Sequence, residues 1–420
     1  MAAQTLTAAS ASRTDLRWYW YLAAISGAAA VIFLRQPDAL LHAQFFAEDG
    51  RYWFADAYNA GWLPSLFRSQ DGYFQTLPRL AAALALLVPL RLAPLVMNLC
   101  GLLVQILPVP LLLSNRLSGL GRLPLRAMLA LIYLALPNCS ELNVSIEEAQ
   151  WHLALVACLV LLAGAPVTRA WKIFDISVLL LCGLTGPFAI LLLPIAALQL
   201  WRRRDALERW ALVILLGTAA LQTYALLLTH RDRWPLGASF EGLIRILAGQ
   251  IFLGSLLGPN SLGVRETLPF LVAVVIVGVL VTTYCFVSAS HEWKLLLLFC
   301  FMVLAAALRR PFTPGLAQGF TSWDGLAWSP GIRYWFLPML AFTWTVAWYL
   351  LGEPRRRFRR IIGVALMAVM LIGLVRDWRI PPRKDFHFAA YAEAFNASPR
   401  GTVATIPINP PGWTMQLVKR

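Results

Sequence analysis

The sequence is poor in charge. Of 420 residues only 14% are Asp, Glu, Lys or Arg, with 21 acids against 36 basic residues and five histidines. Soluble domains carry about 25% charged residues, so an ordinary water-facing surface is excluded. Cysteine is scarce too. The six fall at 100, 139, 158, 182, 285 and 300, five of them inside apolar runs, which excludes a disulfide framework and a CxxC metal pair. The histidines show no ligand spacing, and no internal repeat is visible, which argues against an inverted-repeat transporter. What remains is apolar: 59% hydrophobic residues, 17 Trp and a mean hydropathy of +0.65. These values define an all-α polytopic membrane protein.

The apolar runs place eleven spans near 18–34, 95–113, 123–137, 150–164, 173–184, 186–200, 210–228, 267–287, 293–308, 334–351 and 360–376. The first is read as an uncleaved helix, because it ends in Leu34-Arg35 without a small-residue cleavage site. Leu77 to Val88 is also apolar, but at ~1.5 Å per residue it is too short for a core of ~30 Å, so it is expected to lie along the interface. Residues 51–61 read as a second interfacial helix, with Trp53, Phe54, Ala57, Tyr58 and Gly61 on one face and Arg51, Asp56 and Asn59 on the other. Residues 241–257, with Ile244, Leu247 and Ile251 opposite Arg245, read as a third. Gly186-Pro187 in "GLTGPF" is either a hairpin apex or a kink.

The net charge of +15 needs no nucleic acid, because the Arg clusters lie between apolar runs, where they set topology. "WRRRDALERW" (201–210) and "EPRRRFRR" (353–360) are therefore cytoplasmic, as is the loop 114–126. The segments 35–94, 138–149, 229–266, 309–333 and the tail from Asp377 then face outward. The tail mixes a helix-like start with a β-like "TVATIPI" and is too short to be a separate domain.

This order of parts resembles the GT-C superfamily of membrane glycosyltransferases, with protein O-mannosyltransferases and aminoarabinose transferases of lipid A as well-known types. The likeness rests on "AEDG" (47–50) in the first external loop, "YFQTLPRL" (73–80), a second acidic loop "SELNVSIEEAQWHL" (140–153) and "GIRYWFLP" (331–338). It is architectural and covers roughly residues 18–376. The resemblance implies a GT-C-type domain over 1–376, with first periplasmic loop 35–94, and a short periplasmic tail over 377–420. It implies a bacterial inner-membrane protein with a cytoplasmic N-terminus and a periplasmic C-terminus. Its partners would be a polyprenyl-phosphate-linked sugar donor and a glycan or lipid acceptor within membrane lipid, and the transfer would be inverting. One departure is the set of glutamates at 141, 147 and 148, where related families often carry a single Asp.

Such transfer needs a carboxylate to take the acceptor's proton and cations to hold the departing phosphate. Glu48 and Asp49 supply the first, with Asp49 the preferred base; the alternative role is a solvated cap on the helix from Arg51. Arg333, Arg79, Arg309 and Arg310 are the phosphate candidates, against headgroup anchoring. Glu147, Glu148 and Gln150 form a second acidic site that would hold acceptor hydroxyls or a divalent ion, or cap the helix they precede. No organic cofactor is called for. His152 reads as packing, and Trp323 and Trp328 as candidates for stacking on a sugar. A transporter or flippase of lipid-linked sugars is the rival reading; it would place charges inside the spans, where only Asp175 and the Arg245 region are unassigned.

Overall fold

A computed structural model describes residues 16–229, 234–259, 266–309, 311, 319–329, 331–354 and 356–420. The helices, in chain order, are α1 (Trp18–Arg35), α2 (Thr76–Ala85), α3 (Leu90–Leu113), α4 (Leu123–Ala135), α5 (Ala149–Leu162), α6 (Arg169–Gly183), α7 (Phe188–Arg203), α8 (Ala206–Leu228), α9 (Phe240–Leu257), α10 (Leu268–Ser288), α11 (His291–Arg309), α12 (Arg333–Leu351), α13 (Arg357–Arg376) and α14 (Phe388–Ala397). Among the described residues eight of these, α1, α3 and α8 to α13, are long and apolar enough to cross a membrane.

Seven of the eleven expected spans coincide with seven of those eight helices, all but α9. The other four are α4 to α7, with 13 to 16 residues each. At ~1.5 Å per residue none of the four crosses a ~30 Å core unaided. α5 shows how a short helix is accommodated: every residue from Ala149 to Leu162 is buried by its neighbours, so neither it nor the irregular chain before it needs to face lipid. "GLTGPF" is an apex, since α6 ends at Gly183, Gly186 turns at φ +75° and α7 starts at Phe188.

α9 departs from the surface helix expected at 241–257. Ile244, Ile246, Ala248, Gly249, Gln250 and Ile251 are all buried, and the stretch Ile246–Leu253 is wound as a π-helix. Residues at both its ends meet the same end of the bundle. Before it, Leu236 O accepts from the Trp323 amide at 3.1 Å; after it, Gly258 lies against Asp377. The helix is too apolar all round to lie in an interface, so it is sunk between α10, α12 and α13.

Polar contacts sort the bundle into two ends. At one, Arg35 closes α1 by donating to Leu134 O at 3.1 Å, the Asp377 carboxylate accepts from the Asn138 amide at 2.7 Å, and the Asn138 side chain accepts from the Gly331 amide at 2.6 Å. At the other, Arg116 grips Asp175 through two bonds of 2.9 and 2.6 Å, Arg203 meets Glu208 at 2.8 Å, and Ser290 donates to Gly119 O at 2.8 Å. The first end thus collects the segments read as external, and the second the Arg-rich loops.

α13 touches α9 through backbone. A side chain at Gly373 would collide with Leu256 O and meet Leu257 Cα at 2.8 Å, whereas one at Gly27 of α1 would meet nothing within 4 Å. Gly373→Val is therefore expected to cost about 1–3 kcal/mol through forced separation of the helices. The check is thermal unfolding in detergent, with Gly27→Ala as a control that stays near the wild type.

Candidate active site

The first loop folds as a π-helical turn, Asp49–Phe54, continued by the helix Ala55–Ala60, and Trp53, Phe54 and Ala57 are buried as the apolar face expected at 51–61. Glu48 stands at the start of this turn but its side chain caps nothing, so the capping role is not the one it plays. Asp49 points inward and is completely buried. Gly50 explains why the motif ends in glycine: a Cβ there would sit 3.0 Å from Phe45 Cβ and 3.1 Å from Ile408 Cδ1.

The second acidic loop and α12 meet the first loop here. Arg333 Nη1 lies 2.7 Å from a Glu141 oxygen and 2.8 Å from a Glu148 oxygen, and its backbone amide donates to Glu141 at 2.6 Å. This fork ties the loop before α5 to the start of α12. Glu48, Asp49 and Glu147 complete the group. Both oxygens of Asp49 and one oxygen each of Glu48, Glu147 and Glu148 are buried without a hydrogen-bond partner.

Burial sets the electrostatics. It pushes Asp49 up to about 7; Arg383 opposes the shift, Glu48 adds to it, and backbone groups of Glu147 and Phe46 relieve it slightly. Glu147 is raised well above the carboxylate range, first by burial and then by the neighbouring Glu48 carboxylate. Glu148 reaches about 8, with burial outweighing the pull of Arg333, while Glu141 and Glu48 push it further up. The site therefore holds protons near neutral pH on acids that would be ionised in water.

The remaining candidates go elsewhere. Arg79 is buried and paired to Asp56 at 3.0 Å, with its guanidinium 4.9 Å from the Trp53 ring, so its contacts are with the first-loop helix rather than with the acids. Arg309 ends α11 exposed to the surroundings, and Arg310 lies outside the described residues. Gln150 is buried against the Gly186 turn. His152 packs within 2.8 Å of the Tyr133 hydroxyl and 3.1 Å of Leu142 O. Trp323 donates to Leu308 O at 2.9 Å, and Trp328 is exposed. The residues suited to a divalent ion are Glu48, Asp49, Glu147 and Glu148. Among the described residues, however, no three His, Cys, Asp or Glu side chains are grouped to hold one.

Sequence reasoning left one group undistinguished and missed another. Glu141, one of three acids in its loop, is distinguished only by its grip on Arg333. Arg383 arrives from the tail: its guanidinium lies 4.5 Å from the Phe46 ring and donates to Gln44 O at 3.3 Å, facing Asp49 and Glu147. "PPRKDF" carries no signal for this, because the contact spans more than 330 residues of chain.

No protein-family model and no curated protein matches the chain. Among solved structures the chain is similar to the Archaeoglobus fulgidus oligosaccharyltransferase, crystallised with an acceptor peptide tethered through a disulfide bond. The TM-score is 0.43 and the identity 10%, over 91% of this chain and 58% of that one. The chain thus spans less than two thirds of that protein's length.

Proposed function

We propose that the chain is an inverting glycosyltransferase of GT-C architecture, moving a sugar from a polyprenyl phosphate to a glycan or lipid acceptor at the extracytoplasmic face of a bacterial inner membrane. The observation that carries this reading is the convergence at one end of the bundle of the unpartnered Asp49 carboxyl, the Glu48–Glu147 pair and the Arg333 fork.

In this reading Asp49 takes the acceptor hydroxyl proton while the acceptor oxygen bonds to the sugar C1. The bond from C1 to the phosphate oxygen breaks on the opposite face, and the phosphate leaves with the electron pair. A base works best when its pKa lies near the operating pH, and about 7 meets that condition. Arg333 makes both of its carboxylate contacts through Nη1, so the other edge of its guanidinium fork is the one turned to a phosphate oxygen. Glu147, kept protonated by burial and by Glu48, adds a neutral donor beside the site.

The charges that a transport path would need are committed to structure. Asp175 is spent on Arg116, and Arg245 is paired with Glu241 at 2.7 Å. The test is transfer of a labelled sugar from polyprenyl phosphate in proteoliposomes, with acceptors chosen by mass spectrometry of surface glycans and lipid A with and without the gene. A sugar missing from one of these in the deletion, and restored by the purified chain, is the expected result. Unchanged glycans together with movement of intact lipid-linked sugar across the bilayer would overturn it.

A further inference from the structure

The tail does not hang free beside the first loop; it is clasped to it immediately ahead of the acids. Asn409 donates its amide to Phe45 O at 3.2 Å and accepts from the Ala47 amide at 2.6 Å. Its side chain donates to Gln44 Oε1 at 3.1 Å and to Lys384 O at 2.8 Å, while Gln44 donates to Asp385 at 2.9 Å. Further along, the Asn59 side chain donates to Gln416 O at 2.8 Å and accepts from the Val418 amide at 2.9 Å, so the hairpin of β3 (Val403–Ile408) and β4 (Trp413–Val418) is pinned as well. Phe388 meets Phe45 edge-on at 5.3 Å. The effect of this clasp is to hold one half-buried cation, Arg383, over the Phe46 ring, three residues before Asp49.

We propose that the tail is part of the reaction centre: Arg383, held on the Phe46 ring by the Gln44–Asn409 clasp, is the positioning cation that keeps the Asp49 carboxylate available as a base. This rests on the glycosyltransferase reading for its role in turnover, but not for its electrostatics. The charged and titratable groups that act on Asp49 are Glu48 on its own turn, Glu147 from the loop before α5 and Arg383 from the tail, and Asp38 acts in turn on Arg383. Arg333 is already balanced by Glu141 and Glu148. Among the described residues Arg383 is thus the cation whose charge acts on Asp49, and without it that buried carboxyl would be left with like charges around it. An opposite charge a few ångströms away moves a carboxyl by about 1–3 pH units.

The test is infrared titration of carboxyl bands in the full chain in lipid nanodiscs, with the Asp49 band assigned by its loss in Asp49→Asn. In Arg383→Gln the Asp49 midpoint should rise by about one unit or more, and Arg383→Lys should bring it most of the way back. The acid limb of the sugar-transfer pH profile should move the same way, with the rate recovered at higher pH. An unmoved midpoint in Arg383→Gln, or a rate lowered equally at every pH, would overturn the proposal. If Arg383→Gln does not fold, Asn409→Ala, which loosens the clasp, must raise the midpoint, and no rise would be equally contrary. Absence of any transfer would overturn the enzymatic reading alone, because the infrared midpoint decides the role of Arg383 without turnover.

Discussion

Replacing Asp49 by Asn is expected to lower sugar transfer by a factor of about 10²–10⁴, the usual contribution of a general base. The amide is nearly the same shape, so the packing of the turn against Phe45 and Ile408 is kept and only proton acceptance is lost. The stability effect has the opposite sign. The pKa of Asp49 is raised by burial from 3.8 to about 7. Its contribution to stability is therefore complete below about pH 4 and is lost as the pH rises through 7, where the folded chain must bury a charge. Asn carries no charge to bury, so above pH 7 the variant should unfold at a higher temperature than the wild type while being nearly inactive. Wild-type transfer should climb as the pH passes 7, and the residual transfer of Asp49→Asn should not. The checks are initial rates from pH 5.5 to 8.5 and unfolding curves at the two limits. A variant that is both inactive and destabilised at pH 8 would make Asp49 a structural residue.

The second large effect is expected at Arg333. Arg333→Gln strands Glu141 and removes the cation that opposes the effect of burial on Glu148, whose side chain is only 1% exposed; a buried pair broken from one side costs about 3–5 kcal/mol. The loss belongs at the lower end of that range, because the Arg333 and Glu141 side chains are each about one-fifth exposed. Adding Glu148→Gln removes the more deeply buried of the two carboxyls left without Arg333. The double variant should regain part of the lost unfolding temperature but no transfer, because the phosphate-facing fork is still missing. A single Arg333→Gln variant with unchanged stability would show that the fork does not join the second acidic loop to α12.

What could be read in the sequence differs by kind of contact. Hydropathy over ~20-residue runs is a local property, so α1, α3, α8 and α10 to α13 were visible from it. α9 was misplaced because three periodic apolar residues opposite one Arg look the same on an interfacial helix and on one sunk among others; Arg245 is simply paired to Glu241 one turn away. α4 to α7 were legible as apolar runs, but their short lengths depend on burial inside the bundle. In the site, the nearness of Glu48 and Asp49 to Glu147, Glu148 and Arg333 followed from putting their loops on one side. Arg79 shows the limit of that reasoning: it belongs to the right loop, yet Asp56 and Trp53, one helix away, take it first. Arg383 was beyond it altogether, because its place depends on a clasp between Gln44 and Asn409, 365 residues apart.

One end of the bundle carries the acids, the Arg333 fork and the tail, and the Arg-rich loops lie at the other. The most direct measurement is labelling of single introduced cysteines by a membrane-impermeant maleimide in intact cells and after permeabilisation, at exposed positions Arg51, Asn396 and Arg204. The prediction is that 51 and 396 react in intact cells and 204 only after permeabilisation. Reaction of 51 and 204 from the same side, or of 51 and 396 from opposite sides, would contradict it.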